Sequence, residues 1–274
     1  MKRLINLKPS PALAAFLGLL PFALLMVLYL LGSEARLAEN PSDKLLPSIQ
    51  QFGAAIDRMA FQPNKRSGDY LLWKDTASSL QRLGLGITIS ALFGLLAGML
   101  TGAIPLIRAG LSPLLTIISL IPPMAILPIL FIVFGLDELA KVMLIVIGVG
   151  PIIARDMQRQ TKEIPLELLV KAQTLGANSM QILTGVLLPQ LLPRLIGAVR
   201  LALGTGWLFL IAAEAIASTD GLGYRIFLVR RYLAMDVILP YVAWITLLAF
   251  FLDQMLAALN RRLFPWYANQ EKGR

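Results

Sequence analysis

The chain has 274 residues, 57% of them hydrophobic and 15% charged, with a formal net charge of +9 and neither cysteine nor histidine. Disulfides, thiol nucleophiles and imidazole-based metal or proton chemistry are thereby excluded, and carboxylates alone remain for acid–base work. Apolar runs far longer than a globular core helix needs mark an integral membrane protein.

In chain order, residues 11–32, 83–107 and 109–136 carry no charge, and each run exceeds the roughly 20 residues that cross a bilayer as a helix. Three later uncharged runs are shorter: 142–154, 201–213 between Arg200 and Glu214, and 237–252 before Asp253. These are expected to be spans too. A charge in hydrocarbon costs at least about 2.5 kcal/mol on insertion scales, so such helices should turn their charges toward the bundle interior, a watery path or an interface. The C-terminal half is therefore the expected working half. The alternating short segments of a β-barrel are absent, and other folds leave backbone unsatisfied in lipid. The expected fold is an all-α membrane bundle of about six transmembrane helices. Lys2, Arg3 and Lys8 precede the first run as they would in a secretory signal. Its length, and the lack of a small-residue cleavage pattern before Ser33, favour a retained anchor.

With the N-terminus inside, the cytoplasmic pieces are 1–10, the turn at Arg108, 155–194 and the tail from Asn260. They are strongly basic, with Asp156, Glu163, Glu167 and Glu271 as their only acids, whereas the outer pieces 33–76, 135–141 and 218–236 balance the two signs. The positive-inside rule thus favours cytoplasmic termini. The outer loop contains Pro41, Pro47 and Pro63. Ile49, Phe52, Ile56 and Met59 recur there at helical spacing, giving an amphipathic helix that reads best as a packed connector. The organisation is then an anchor and outer loop over 1–76, a core over 77–260 with its cytoplasmic loop at 155–194, and a tail over 261–274.

The loop between the fourth and fifth spans is the most informative segment. Pro165 suits a helix start and Gly176 the position past a helix end, predicting a helix of about three turns over 165–175, with Asn178 or Ser179 capping the next. Leu168, Leu169, Ala172 and Leu175 form an apolar stripe, and Glu163, Glu167 and Lys171 follow at four-residue spacing. The sequence runs Val170-Lys171-Ala172, then Gly176-Ala177, then Val186, Leu188 and Pro189.

This segment resembles the EAA loop of permease subunits of ATP-binding-cassette (ABC) importers: Glu-Ala-Ala, three residues, Gly, nine residues, an aliphatic, one residue, Leu-Pro. Ala172, Gly176, Val186, Leu188 and Pro189 fall on its positions. Val170 stands where the pattern has glutamate and Lys171 where it has the first alanine, so the glutamate's ion pair is not carried over. The stretch from Ile121-Pro122-Pro123 through Pro128 to Phe134-Gly135, then Ala213-Glu214, Gly221-Leu222-Gly223-Tyr224 and Leu252-Asp253, is similar to the nitrate, sulfonate, taurine and bicarbonate subgroup. The stretch 224–236 looks like members associated with urea or guanidine use. The resemblance implies a type I (MetI-like) permease fold in the bacterial inner membrane and a homodimer moving a small polar solute by alternating access. It also implies two cytoplasmic ABC ATPase subunits docked on the loop, with ATP and Mg on them, and an outer solute-binding protein.

Several residues have a reading of their own. Pro122, Pro123 and Pro128 should kink or break the third span, either lining a pathway or only improving packing. Glu214 is either a pathway carboxylate or the partner of a cation such as Arg200 or Arg225. Gly221 and Gly223 accompany it as candidate gate positions, and Arg225, Arg230 and Arg231 follow as a candidate outer anion pocket or docking patch. Gly94 and Gly98 suit a close helix contact within the chain or between subunits. No Walker loop is present, so ATP is not expected to bind here. The dispersed positive charge lacks a basic-aromatic recognition stretch, so no nucleic-acid partner is expected. The rival reading is a self-sufficient secondary transporter or channel that uses Glu214 and Asp253 as ion or proton sites. An intramembrane enzyme would need an acid–base or metal cluster that the sequence lacks.

Overall fold

The computed structural model describes residues 9–40, 43–65 and 67–267, and all regular structure among them is helical. The basic flank Lys2, Arg3 and Lys8, Pro41 of the expected outer loop and the tail beyond Tyr267 lie outside the described residues. Four rods are long and apolar enough to cross a membrane: α1 (Pro11–Glu39), α3 (Leu71–Ala103), the rod Ser179–Ala217 and α11 (Met235–Leu263). The bent pair α4 (Pro105–Leu120) and α5 (Pro123–Phe134) makes a fifth if its halves are one span. The expected fourth span is α6 (Glu138–Lys162), whose 25 residues reach about 37 Å. Protein surrounds much of it: Ala140, Leu144, Ile145, Val149, Ala154 and Met157 are fully buried. The charged residues toward its ends, Glu138, Arg155, Arg159 and Lys162, are exposed.

Helix α3 packs along α6 through a ladder of small residues four apart. A Cβ added at Gly86 would lie 2.7 Å from Ile145 Cβ, and one at Gly94 would lie 2.5 Å from Ile153 Cγ2. Gly98 and Gly102 press in the same way on Met157 and Thr161, and Ser90 fills the intervening rung by bonding back to Gly86 O at 2.7 Å. Removing side chains lets the two backbones approach and gain dispersion contacts, the main attraction between helices in lipid. Of the two contacts expected for Gly94 and Gly98, the one made here lies within the chain.

The third span breaks at Ile121-Pro122-Pro123. A residue before proline is pushed out of the helical region, and here two successive residues precede a proline. Both are extended, Ile121 at ψ 123° and Pro122 at ψ 115°, and Pro123 then starts α5 in the position that suits its missing N–H. The two halves meet at 96°. Pro128 sits inside α5 without breaking it.

Helix α1 touches the rest of the chain chiefly near its C-terminal end. There Tyr29 Oη donates to Pro47 O at 2.7 Å and Ser33 Oγ to Leu46 O at 2.9 Å. Its other faces expose Leu and Phe, as a lipid-facing helix does. The expected connector helix is α2 (Ile49–Ile56), capped by Ser48 and Gln51 in a reciprocal capping box and continued by a π-type turn, Asp57–Phe61. Ala55 and Ala60 are buried, and Trp73 Nε1 donates to Ala60 O at 3.0 Å, so the element is a packed connector.

After α6 the chain turns through α7 (Leu166–Thr174) and the single turn α8 (Ser179–Gln181). A π-type segment, Ile182–Leu187, leads into α9 (Leu188–Ala217). The short α10 (Leu222–Arg230) then joins α9 to α11. The start of α3, the end of α9 and all of α10 share one pole of the bundle. The α7 segment occupies the other.

Candidate functional site

At the α7 pole the local sequence builds a rigid corner. Pro165 is the cap of α7 rather than its first residue, and the helix ends in a left-handed Gly176 at φ 82°. Ala177 N–H donates to Ala172 O at 3.0 Å and Gly176 N–H to Gln173 O at 2.9 Å, the paired bonds of a Schellman stop. A residue with a side chain is strained at that φ, which is why glycine stands there. Asn178 then caps α8: its side chain accepts from Gln181 N at 2.9 Å while Gln181 Oε1 accepts from Asn178 N at 2.8 Å.

The residues between α8 and α9 are wound as a π-turn, with Leu188 N–H donating to Leu183 O. The widening falls just before Pro189, whose ring would otherwise meet the carbonyl of Gly185. Val186 and Leu188 are half-buried on this turn and Pro189 is exposed.

No residue of α7 is buried. The expected stripe divides: Leu169 and Ala172 turn partly inward, while Leu168 and Leu175 point outward. Leu175 is 87% exposed, Leu166 71% and Met180 68%, beside exposed Val170 and Lys171. The corner is thus preorganised by backbone bonds and presents apolar side chains that this chain leaves uncovered.

The opposite pole is the reverse in character. Glu214, at 0% exposure, receives Arg82 Nη1 at 2.7 Å, Ser79 Oγ at 2.8 Å and Gly223 N–H at 2.8 Å. Its cation is therefore Arg82, not Arg200 or Arg225. Arg225 instead grips the buried Asp75 through Nε at 2.8 Å and Nη2 at 3.1 Å, joined by Tyr241 Oη at 3.2 Å. Arg200 holds Asp253 at 2.8 and 2.9 Å near the middle of α9, about 21 Å of helix away from Glu214. Arg82 also reaches Glu138 at 2.8 Å and Asp220 at 2.5 Å, and Lys141 bonds Glu138 at 2.8 Å.

This network explains the Gly221-Leu222-Gly223 turn. A helix start leaves its first N–H groups without partners. Here Gly221 N–H goes to Asp75 Oδ1 at 3.0 Å, Leu222 N–H to Ser79 Oγ at 2.9 Å and Gly223 N–H to Glu214 Oε2, so side chains of α3 and α9 cap α10 from outside. Gly221 sits at φ 112°, where a Cβ would strike the Glu214 carboxylate and stand 2.7 Å from Arg82 Nη1. A Cβ at Gly223 would lie 2.7 Å from Ile211 O.

The structure thus unites Glu214, Gly221 and Gly223, and leaves Pro122, Pro123 and Pro128 apart at the α4–α5 elbow. Arg225 is consumed by Asp75, Arg230 lies over the Phe227 ring at 4.9 Å, and Arg231 is exposed, so the three do not converge on one anion pocket. The sequence reading missed Asp75, Ser79 and Arg82 because it began the span at the first uncharged residue. Their spacing of four and three along one helix face was the available signal. Among the described residues, no cluster of three or more potential metal-ligating side chains occurs.

Residues 90–265 match the family model of the binding-protein-dependent transport system inner membrane component. The chain is 38% identical over 199 residues to the taurine transport system permease protein TauC of Escherichia coli, covering 73% of this chain and 72% of that one. It is 32% identical to the bicarbonate transport system permease protein CmpB of Synechococcus elongatus, over 70% and 69% of the two chains. It is 28% identical to the putative aliphatic sulfonates transport permease protein SsuC of Bacillus subtilis, over 70% of each. Among solved structures, an inward-facing MetNI methionine ABC transporter chain aligns with a TM-score of 0.63 at 24% identity, covering 73% of this chain and 99% of that one, a likeness of fold. The apolar rods, the capped corner between α6 and α9 and this family match together place the chain among the inner-membrane permeases of binding-protein-dependent ABC importers.

Proposed function

We propose that this chain is the transmembrane subunit of an ATP-driven importer of a small sulfonate-type solute, of which taurine is the first to test. The 38% identity to a taurine permease, with sulfonate and bicarbonate permeases among the other relatives, favours a small anion or zwitterion over urea or guanidine.

The observation that carries the reading is the α7 corner, where Leu166, Leu175 and Met180 are exposed at a point fixed by a helix stop and a capping box. Such a knob suits the groove of a soluble ATPase subunit. The ATPase-coupling residues are then Val170, Lys171, Ala172, Gly176, Ala177, Val186, Leu188 and Pro189. α7 lies on the cytoplasmic side together with both termini, and α10 faces the solute-binding protein. Two copies of the chain form the pathway. ATP with Mg binds the ATPase pair, closure draws the two α7 corners together, and the helices joined to them tilt as rigid bodies to open the outer side. Hydrolysis resets the inward-open state. The chain binds no cofactor and catalyses no reaction of its own.

Glu214, Gly221 and Gly223 then act by fixing α10 against α3 and α9, setting the shape of the outer gate. Pro122, Pro123 and Pro128 shape the wall formed by α4 and α5. The secondary-transport alternative would need Glu214 and Asp253 to exchange ions, yet arginines engage both.

The test is uptake of radiolabelled taurine into proteoliposomes holding the chain with its cognate ATPase and binding protein. Uptake should require both partners and ATP. Flux through the chain alone, driven by an ion gradient, would replace this reading with the alternative.

A further inference from the structure

A cavity of about 340 Å³ lies toward the α7 pole between α6, α9 and α11. Ligand pockets start at about this size. Its lining is dominated by charge, with Arg159, Arg194 and Arg200 facing Asp156 and Asp253. Two of the arginines are matched: Arg159 pairs with Asp156 at 2.7 Å, and Arg200 holds Asp253 through two bonds. Arg194 is not matched in this way. Its Nη1 donates to the main-chain carbonyl of Gln160 at 2.8 Å, and no carboxylate of the described residues lies within ion-pair distance of it.

A guanidinium has five N–H donors, and the carbonyl uses one. The group is half-buried, so among the described residues the lining carries one guanidinium without a carboxylate partner, which water only partly solvates. Gly197, three residues from both Arg194 and Arg200 on α9, also lines the cavity, and a Cβ there would meet nothing within 4 Å. Between the two guanidinium-bearing turns of α9 the wall is therefore low, formed by Gly197 and the small Ala198. The Arg200–Asp253 pair beside it is about one-third exposed, so the space can be reached from outside.

We infer that this cavity binds a small tetrahedral oxyanion, a sulfate, sulfonate or phosphate group, with Arg194 as its principal donor. Planar guanidinium forks match such oxygens in pairs, which a lysine in the same place would not do. The anion comes either free from the aqueous phase or as the head group of an anionic lipid. Its chemistry at the site is the same in both cases. A bound ion bridges α6, which leads into the α7 corner, and α9, which leads out of it. The inference stands on the cavity alone and does not depend on which solute is transported.

The experiment uses the full chain in nanodiscs. In discs of zwitterionic lipid, equilibrium dialysis with radiolabelled sulfate and with taurine reads free-anion binding. In discs containing phosphatidylglycerol, native mass spectrometry reads retained lipid. Three variants are compared: Arg194→Gln removes the donor, Arg194→Lys keeps charge without the fork, and Gly197→Leu fills the space while leaving every arginine in place.

Saturable sulfate or taurine binding that weakens about tenfold or more in Arg194→Gln, less in Arg194→Lys, and is blocked in Gly197→Leu identifies a free-anion site. The same pattern in retained phosphatidylglycerol, with no sulfate binding, identifies a head-group site. Binding of either kind that is unchanged in Gly197→Leu overturns the inference, as does the absence of both in the parent chain. Because Arg194 also satisfies the end of α6, Gly197→Leu keeps the result decisive even if Arg194→Gln fails to fold.

Discussion

The two poles of this bundle use polar chemistry in opposite ways. Asp75, Arg82 and Glu214 are buried and each is answered, and the network around them locks α3, α6, α9 and α11 to the short α10. Around α7 the backbone is equally well satisfied, but the side chains are turned outward and unanswered. The first arrangement resists any internal rearrangement, whereas the second waits for a surface to complete it. A force applied at the α7 corner can therefore travel up α6 and α9 to a pole that moves only as a block.

The sharpest way to break that contrast is to empty one half of a buried pair. Glu214→Ala leaves Arg82 without its most buried carboxylate and should cost about 3–5 kcal/mol. Thermal unfolding in detergent should show a large loss, with little folded protein recovered. If melting is unchanged, the far pole is not the locked body described above. Next in size is Gly176→Val, which forces a β-branched residue to φ 82° at a local cost of about 1–3 kcal/mol. Uptake should vanish while membrane insertion persists, and a transport-competent variant would detach the corner from coupling.

A third substitution sharpens the comparison by separating docking from folding. Leu175→Glu places a charge on a residue already 87% exposed, so stability should move within about 0.5 kcal/mol. Co-purification of the ATPase subunit should nevertheless be lost. The smallest effect is expected off the α3–α6 ladder, on α4: Gly110→Ala, where an added Cβ meets nothing, should change stability by no more than about 1 kcal/mol, in the favourable direction. By contrast, Gly98→Ala on the ladder itself should lower stability by about 1–3 kcal/mol.

Much of the α7 pole was legible in the sequence because its signals are local. Pro165, Gly176 and Asn178 each act within four residues, so helix start, stop and restart could be read one after another. The elbow at Ile121-Pro122-Pro123 was legible for the same reason. The far pole was not, because its bonds link residues far apart in the chain. Asp75 and Gly221 meet across the bundle, and nothing near either one names the other. Reading charges as span limits started α3 at 83 instead of Leu71 and assigned Asp75 to a loop. The same habit shortened α6, whose covered apolar middle continues into largely exposed polar ends at Glu138, Arg155, Arg159 and Lys162. Glu214 was correctly suspected of pairing with a cation, but its true partner, Arg82, stood just outside the span as first drawn.

The elbow between α4 and α5 has one more consequence. Two adjacent residues there are both disfavoured in helical geometry by the prolines that follow them, and neither proline has an N–H to give, so straightening the joint would gain few hydrogen bonds against that cost. It is a bracket of set angle rather than a spring. Whatever motion carries solute through, α4 and α5 must travel together like the two arms of a boomerang, and the gap they open or shut is fixed by where that bracket swings.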